Sequence, residues 1–348
     1  MASLPATPID PQPPSSSTTP TTIHIGSRKS VLALIQTQIV HDALQSAWPD
    51  LKYEIHAMNT MGDKNQVTPL HDFGAKSLWT HELEAGLVGG ELDLIVHSLK
   101  DMPTLLPPTC ALGAILPRED PRDALVLKSS LPQTATTTLS TLPPGSTIGT
   151  SSVRRSAQIA RKNPHLHFAD VRGNVGTRLA KLDAEGGAYT ALVLAAAGLK
   201  RLGLSERITA YLDYANGGVM HAVGQGALGV EIRAGDERMR RLLEPLVHVP
   251  TTLACLAERA VMRTLEGGCS VPIGVETEWV GVQALRMRVV VVSLDGGESV
   301  EGLREGRVGS VEEAEAFGRE VAGELVERGA GRILEAIGQK KRGAGDGD

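Results

Sequence analysis

Two short apolar runs, each breaking into a turn of small residues and then a helical pattern, constrain this chain more than any other feature. Residues 23–26 read as a strand, followed by a loop and a helix over about 30–46. Leu34, Val40 and Leu44 recur there near helical spacing until Trp48-Pro49 stops the pattern. Residues 146–149 open a second such unit. Ser151 and Ser152 are placed to cap a helix over 153–162 that ends at Asn163-Pro164. Ile25-Gly26-Ser27-Arg28 and Ile148-Gly149-Thr150-Ser151 run in parallel, which hints at two units of related design. Further strands are expected at 92–96 and 191–194. Strands alternating with helices predict an α/β protein with mainly parallel sheets, whose ligand sites lie at the carboxyl ends of strands. The last part reads differently. Leu285, Met287, Val289 and Val291 alternate with Arg286, Arg288 and Val290 up to Asp295-Gly296-Gly297. A helix follows with Ser310 and Glu313 spaced as a capping box and Ala314, Phe317, Val321 and Leu325 on one face. This pattern predicts a separate small α+β domain.

A length of 348 residues is more than one core usually organises, so two or three domains are expected. The longest apolar stretch, around 191–199, is too short to span a bilayer, and no membrane association is expected. Only three cysteines occur, Cys110, Cys255 and Cys269, with no short-spaced pairs. This argues against a disulfide framework or a structural zinc site and for a reducing compartment. Residues 1–22 are rich in Pro, Ser and Thr and hold no Lys or Arg, so they read as a disordered extension without the marks of a secretory or mitochondrial leader. A cytoplasmic location is the expectation. Residues 339–348 read as a solvated tail.

The formal charge is −5, yet between Thr150 and Arg201 nine cations (Arg154, Arg155, Arg161, Lys162, Arg172, Arg178, Lys181, Lys200, Arg201) meet three acids (Asp170, Asp183, Glu185), a local charge of +6. A solvated basic face is the ordinary fate of such a run. Against it, Arg154 and Arg155 begin a helix, where the dipole disfavours cations unless an anion is bound. Arginine also predominates, and its planar fork suits carboxylate or phosphate. Nucleic-acid binding is disfavoured, because only Phe168 and Tyr189 are available for stacking and the whole chain is acidic. No phosphate-cradling loop or dinucleotide fingerprint is present. Small carboxylate-rich ligands fit better.

His97-Ser98-Leu99-Lys100-Asp101-Met102-Pro103 follows the predicted strand at 92–96. Adjacent Lys100 and Asp101 are either exposed turn residues or a functional pair at the end of a strand. A carboxylate near arginines stays ionised, ready to stabilise a developing cation or accept an N–H. His97 reads equally as a core histidine or a ligand, and no His/Asp/Glu set has metal-ligand spacing, so no metal is indicated. Cys110 and Cys255 read as buried and inert. Cys269 follows Gly267-Gly268 and precedes Pro272, a turn that can project its sulfur as a covalent attachment point.

Seven motifs, in order, resemble those of the porphobilinogen deaminase (hydroxymethylbilane synthase) family. They are Gly26-Ser27-Arg28-Lys29-Ser30, His97-Ser98-Leu99-Lys100-Asp101, Gly149-Thr150-Ser151-Ser152-Val153-Arg154-Arg155, Val171-Arg172-Gly173-Asn174-Val175-Gly176-Thr177-Arg178, Ala197-Gly198-Leu199-Lys200-Arg201, Gly224-Gln225-Gly226-Ala227 and Glu266-Gly267-Gly268-Cys269. The resemblance implies three domains: two periplasmic-binding-protein-like α/β lobes and a small α+β C-terminal domain. By this reading domain 1 spans 23–117 and 221–244, domain 2 spans 118–220, and domain 3 spans 245–338.

It implies a dipyrromethane cofactor held by a thioether to Cys269 and contacted by Ser98, Lys100, Ser152, Arg154, Arg155, Arg172 and Arg178. Arg28, Ser30, Arg172, Arg178 and Arg201 match substrate-binding positions, and Asp101 matches the catalytic carboxylate. The implied activity joins four porphobilinogen molecules head-to-tail, with loss of ammonia and release of linear hydroxymethylbilane in heme biosynthesis. It needs no metal, nucleic acid or membrane, and a monomer is expected. Val31, Ala75 and His81 depart from residues common in the family, away from the groups assigned to chemistry. A non-catalytic two-lobed binder of small carboxylates is the rival, and it has no need of Cys269 or Asp101.

Overall fold

The computed structural model describes residues 22–59, 80–134, 136–265 and 271–345, with side chains as far as residue 339. The chain begins with β1 (Thr22–Arg28), α1 (Val31–Ala47), β2 (Lys52–Met58), α2 (His81–Gly89), β3 (Leu94–Ser98) and β4 (Cys110–Ile115). It then crosses to β5 (Asp123–Leu127), β6 (Thr147–Gly149), α3 (Val153–Lys162), β7 (His167–Ala169), α4 (Val175–Asp183), β8 (Ala191–Ala195), α5 (Ala196–Arg201) and β9 (Ala210–Leu212). A second crossing leads back to β10 (Leu228–Arg233) and α6 (Glu237–Leu243). Last come α7 (Val249–Thr264), β11 (Ile273–Gly281), β12 (Ala284–Val292), β13 (Ser299–Arg307), α8 (Val311–Glu327) and α9 (Ala330–Gly345).

The sheets are ordered β2-β1-β3-β10-β4 and β7-β6-β8-β5-β9. In each, the first three strands are parallel and the fourth runs antiparallel to both neighbours. The likeness of 25–28 to 148–151 therefore marks two lobes with the same strand order and sense. The sheets are mixed, which corrects the expectation of mainly parallel ones. The antiparallel member is in each case the strand delivered by a crossing from the other lobe, and such a strand lacks the strand-to-helix wording from which parallel pairing was read.

Helix α1 begins and stops where its sequence says. Ser30 Oγ accepts the Ala33 N–H, and Trp48 closes the last turn. Helix α3 has the predicted bounds but not the predicted cap: Ser152 makes no side-chain capping bond. The Ser151 hydroxyl instead donates to Val171 O (3.0 Å) and accepts the Val171 N–H (3.1 Å), binding the strand ends together. On β5, Leu125 and Leu127 enter one apolar cluster and Ala124 and Val126 another. Period-two alternation thus buries both faces of this sheet.

The C-terminal sheet is an antiparallel meander, β11-β12-β13. Leu285, Met287, Val289 and Val291 meet Ala314, Phe317, Val321 and Leu325 in its core, as the alternation predicts. Only half of the predicted capping box forms: Ser310 caps Glu313 N–H, but Glu313 reaches Gly309 N–H instead of the cap residue. Helix α9 runs to Gly345, through most of the predicted solvated tail. The run Gln339-Lys340-Lys341-Arg342 is made of straight-chain residues that lose little rotamer freedom in a helix. Among the described residues, no helix is long and apolar enough to cross a membrane.

Both crossings pass side by side and are tied to the third domain by one buried carboxylate. Glu258 on α7, fully buried, accepts two bonds from Arg118 (2.6 and 3.0 Å), one from Thr277 Oγ1 (2.6 Å) and one from Gly224 N–H (2.8 Å). Burial alone would raise its pKa, but Arg118 and the other donors hold it at about 2. Gly226 permits the contact between the crossings. Its φ is +88°, and a Cβ there would lie 2.2 Å from Glu119 O.

Candidate active site

The conserved sense of the two sheets brings their strand ends to the junction between the lobes. Lobe 1 contributes the short 3₁₀ turn Leu99–Asp101, which directly continues β3. Buried Leu99 anchors this turn, with its N–H on Ala227 O at 3.0 Å. The next two side chains, Lys100 and Asp101, are thereby held at the junction. Lobe 2 contributes Arg154 and Arg155 from the first turn of α3, Arg172 from the loop after β7, and Arg178 from α4. Gly173 makes the turn between those last two. Its φ is +109°, and a Cβ there would lie 2.8 Å from Thr177.

At the centre stands Asp123, the first residue of β5, which is fully buried. Its carboxylate takes Arg154 at 2.8 Å, Arg155 at 2.7 Å and Gln225 Nε2 at 2.9 Å. Gln225 in turn accepts from Lys100 Nζ at 3.3 Å. One hydrogen-bonded path therefore runs from the lobe 1 turn, through the second crossing, to the head of α3. Burial alone would raise the Asp123 pKa, but the two guanidiniums outweigh it and hold the group far below the ordinary carboxylate range.

The cations are destabilised in return. Lys100 is lowered to about 8, chiefly by loss of water around its ammonium, with Arg155 and Arg154 adding repulsion and Asp101 and Asp123 opposing. Arg178 falls to about 10 through desolvation and the charges of Arg155 and Arg172, opposed by Asp101. Burial also lowers Arg154, Arg172 and Arg201. Lys100, Arg154, Arg155 and Arg178 each feel Asp101 or Asp123, and Arg172, beside Arg178, feels Asp170, so five cations share three carboxylates. The buried Nε–H of Arg155 finds no acceptor among the described residues. A carboxylate-bearing ligand supplies both the missing charge and that acceptor, so the residues present fit a carboxylated pyrrole group.

Other predicted residues lie at the rim or serve the scaffold. Arg28 ends β1, and the Ser30 hydroxyl oxygen caps α1. Arg201 donates to Gly226 O at 2.8 Å, and Lys200 pairs with Glu119 at 3.0 Å and Asp120 at 3.5 Å, so both brace the crossings. Ser98 bonds Gln36 of α1 at 2.9 Å. His97 resolves as a core residue, 2.9 Å from buried Glu231 of β10. Cys110 and Cys255 are buried, and burial raises their thiols to about 11 and about 12, which keeps them unreactive. Cys269 and Ala75 lie outside the described residues. Sequence reasoning missed Asp123, and it named Gln225 within a motif without giving it a role. The single signal for Asp123 was a lone acid at the head of an apolar strand.

These features define a two-lobed α/β protein with a polycationic junction of the kind that suits molecules bearing several carboxylates. Residues 23–241 match the family model described as "Porphobilinogen deaminase, dipyromethane cofactor binding domain", and residues 252–327 match "Porphobilinogen deaminase, C-terminal domain". The chain is 52% identical over 327 residues to the porphobilinogen deaminase of Neurospora crassa, covering 93% of this chain and 96% of that one. It is 48% identical over 324 residues to that of Saccharomyces cerevisiae, covering 91% and 98%. Among solved structures it is similar to the periplasmic VFT2 domain of Bordetella pertussis BvgS, at 13% identity and a TM-score of 0.39, covering 65% of this chain and 86% of that one. The chain belongs to the porphobilinogen deaminase family.

Proposed function

We infer that this chain is a hydroxymethylbilane synthase, condensing four porphobilinogen molecules head-to-tail with loss of ammonia. The observation that carries the reading is Asp101 and Lys100 of one lobe facing Arg155 and Arg178 of the other across Asp123. Each porphobilinogen carries an acetate and a propionate, so the growing chain accumulates negative charge. Lys100, Arg154, Arg155, Arg172 and Arg178, with Ser98 and Ser152 beside them, hold those groups. Arg28, Ser30 and Arg201 receive the incoming monomer. Loss of ammonia leaves a cationic azafulvene, and Asp101 stabilises that cation while accepting the pyrrole N–H. The dipyrromethane, bound through Cys269, supplies the free pyrrole carbon at which the chain starts. Asp123 positions Arg154 and Arg155 so that their remaining N–H groups face the ligand. The domain limits proposed from the sequence (23–117 with 221–244, 118–220, and 245–338) put these groups where the three units meet. A cytoplasmic monomer accords with the sparse cysteines.

The alkaline pH profile tests this assignment. With its ammonium lowered to about 8, Lys100 binds carboxylate below that pH and loses its charge above it. For the protein assayed with porphobilinogen, kcat/KM is expected to fall above about pH 8 by about tenfold or more, the worth of one charge-assisted bond. Lys100→Gln should lower the plateau and flatten this limb, whereas Lys100→Arg should remove the limb and keep the plateau high. Superimposable profiles for the three proteins would remove Lys100 from the anion site.

A further inference from the structure

The first lobe also carries a cluster of side chains that this chemistry does not use. Strands β1 and β2 pair in parallel with His24 opposite Glu54 and Gly26 opposite His56. Period-two alternation puts all four residues on one face. His24 Nδ1 and His56 Nε2 lie 2.9 Å apart, and Glu54 Oε2 lies 3.6 Å from the first and 3.9 Å from the second. Among the described residues this is the one group of three such side chains whose ligand atoms converge.

The triangle has the dimensions of a coordination site. A point in its plane lies about 2.0 Å from all three donor atoms, against roughly 2.0–2.1 Å for zinc to imidazole nitrogen and 2.0–2.2 Å to carboxylate oxygen. Two imidazoles and one carboxylate suit zinc and its first-row neighbours, not calcium or magnesium, which take oxygen. Without a metal, the facing ring nitrogens can share only one proton, and a bound cation replaces it. The side chains of His24 and His56 are 36% and 42% exposed, so an ion can enter and keep water in its remaining positions. The backbone is braced in advance: His24 N–H donates to Asp93 (2.9 Å), which itself meets Arg233 of β10 at 3.4 Å. His24 stands four residues from Arg28 at the end of β1, about 13 Å along the strand.

We propose that His24, His56 and Glu54 bind a divalent transition-metal cation of the zinc type at the edge of the first lobe's sheet, cross-linking β1 to β2. The site is independent of the catalytic assignment. A cation that binds the folded chain and not the unfolded one stabilises it by mass action.

The test uses the full-length protein with its cofactor in place, stripped with chelator and titrated with Zn²⁺ alone and, in parallel, with Co²⁺ followed by its visible d–d absorption. One equivalent is expected to bind in the micromolar range and to raise the thermal midpoint. Outer-shell changes at metal sites cost roughly 10- to 100-fold in affinity, so loss of a ligand in His56→Ala should cost at least about 100-fold. Glu54→Gln should weaken binding too, while His41→Ala, a half-buried histidine on α1 outside the cluster, should leave it unchanged. Unaltered turnover of His56→Ala would show that the variant is folded. Absence of d–d bands in the parent protein overturns the proposal. So does affinity that survives in both His56→Ala and His24→Gln, which would put the metal on other ligands.

Discussion

Asp101→Asn should reduce turnover by about 10²- to 10⁴-fold, the range expected when a positioned charge or proton-accepting group is lost from a reaction centre. The effect should fall on kcat. Asparagine has nearly the same shape and keeps an oxygen that can accept a pyrrole N–H, but it carries no charge to offset the azafulvene cation. The loss should not arise from misfolding. The turn that presents Asp101 is held through its neighbour, with Leu99 buried and bonded to Ala227 O, and through Met102 N–H on Leu99 O at 3.2 Å. Unfolding free energies of the variant and parent should therefore agree within about 0.5 kcal/mol. Stopped assays with porphobilinogen, alongside urea titration, check both parts. Turnover within tenfold of the parent would rule out Asp101 as the catalytic carboxylate.

The second large effect is structural at its source and functional in its result. Asp123→Ala strands two guanidiniums, each only 6% exposed, together with the Gln225 amide that completes the set. Removing one partner of a buried ion pair commonly costs about 3–5 kcal/mol, because the other charge stays buried without compensation. Desolvation of the carboxylate works against the pair, so the net worth of the intact group is smaller than the cost of breaking it. Acid should act in the same direction. A carboxyl whose folded pKa lies below its unfolded value of about 3.9 contributes stability that is fully present above that value. That contribution is lost as pH falls through the folded value. Denaturant titrations at neutral pH and at about pH 3 should show the parent losing more stability on acidification than Asp123→Ala does. Equal stability of the two proteins at neutral pH would contradict the bridging role.

Much of this was legible in the residues because local chemistry dictated it. Ser30 and Trp48-Pro49 set the ends of α1, Asn163 closed α3, and the alternation at 285–291 predicted the inner face of β12. The basic window stood out as a charge imbalance, and Arg154, Arg155 and Arg178 of it share one electrostatic cluster, whereas Arg161 pairs with Glu301 of β13 and Lys162 lies over the Tyr214 ring. What stayed hidden depends on pairing across long separations. Asp123 sits 31 and 32 residues before the arginines it bridges, and 102 before Gln225. Nothing in its neighbourhood says that β5 will be inserted beside β8 instead of pairing within the first lobe. His24 and His56 are likewise 32 residues apart, and only the β1–β2 register brings them together. The sequence at 151–152 offered two serine caps. The fold uses Ser151 elsewhere because the loop before Arg172 needs its backbone satisfied.

The central claim, that a covalently primed chain of pyrroles grows at this junction, is tested most directly by mass. The purified, denatured chain should exceed its sequence mass by two linked pyrrole units, and peptide mapping should place the whole increment on Cys269. An unmodified Cys269, unchanged after incubation with porphobilinogen, would contradict the account and leave the arginine cluster as a reversible carboxylate-binding site.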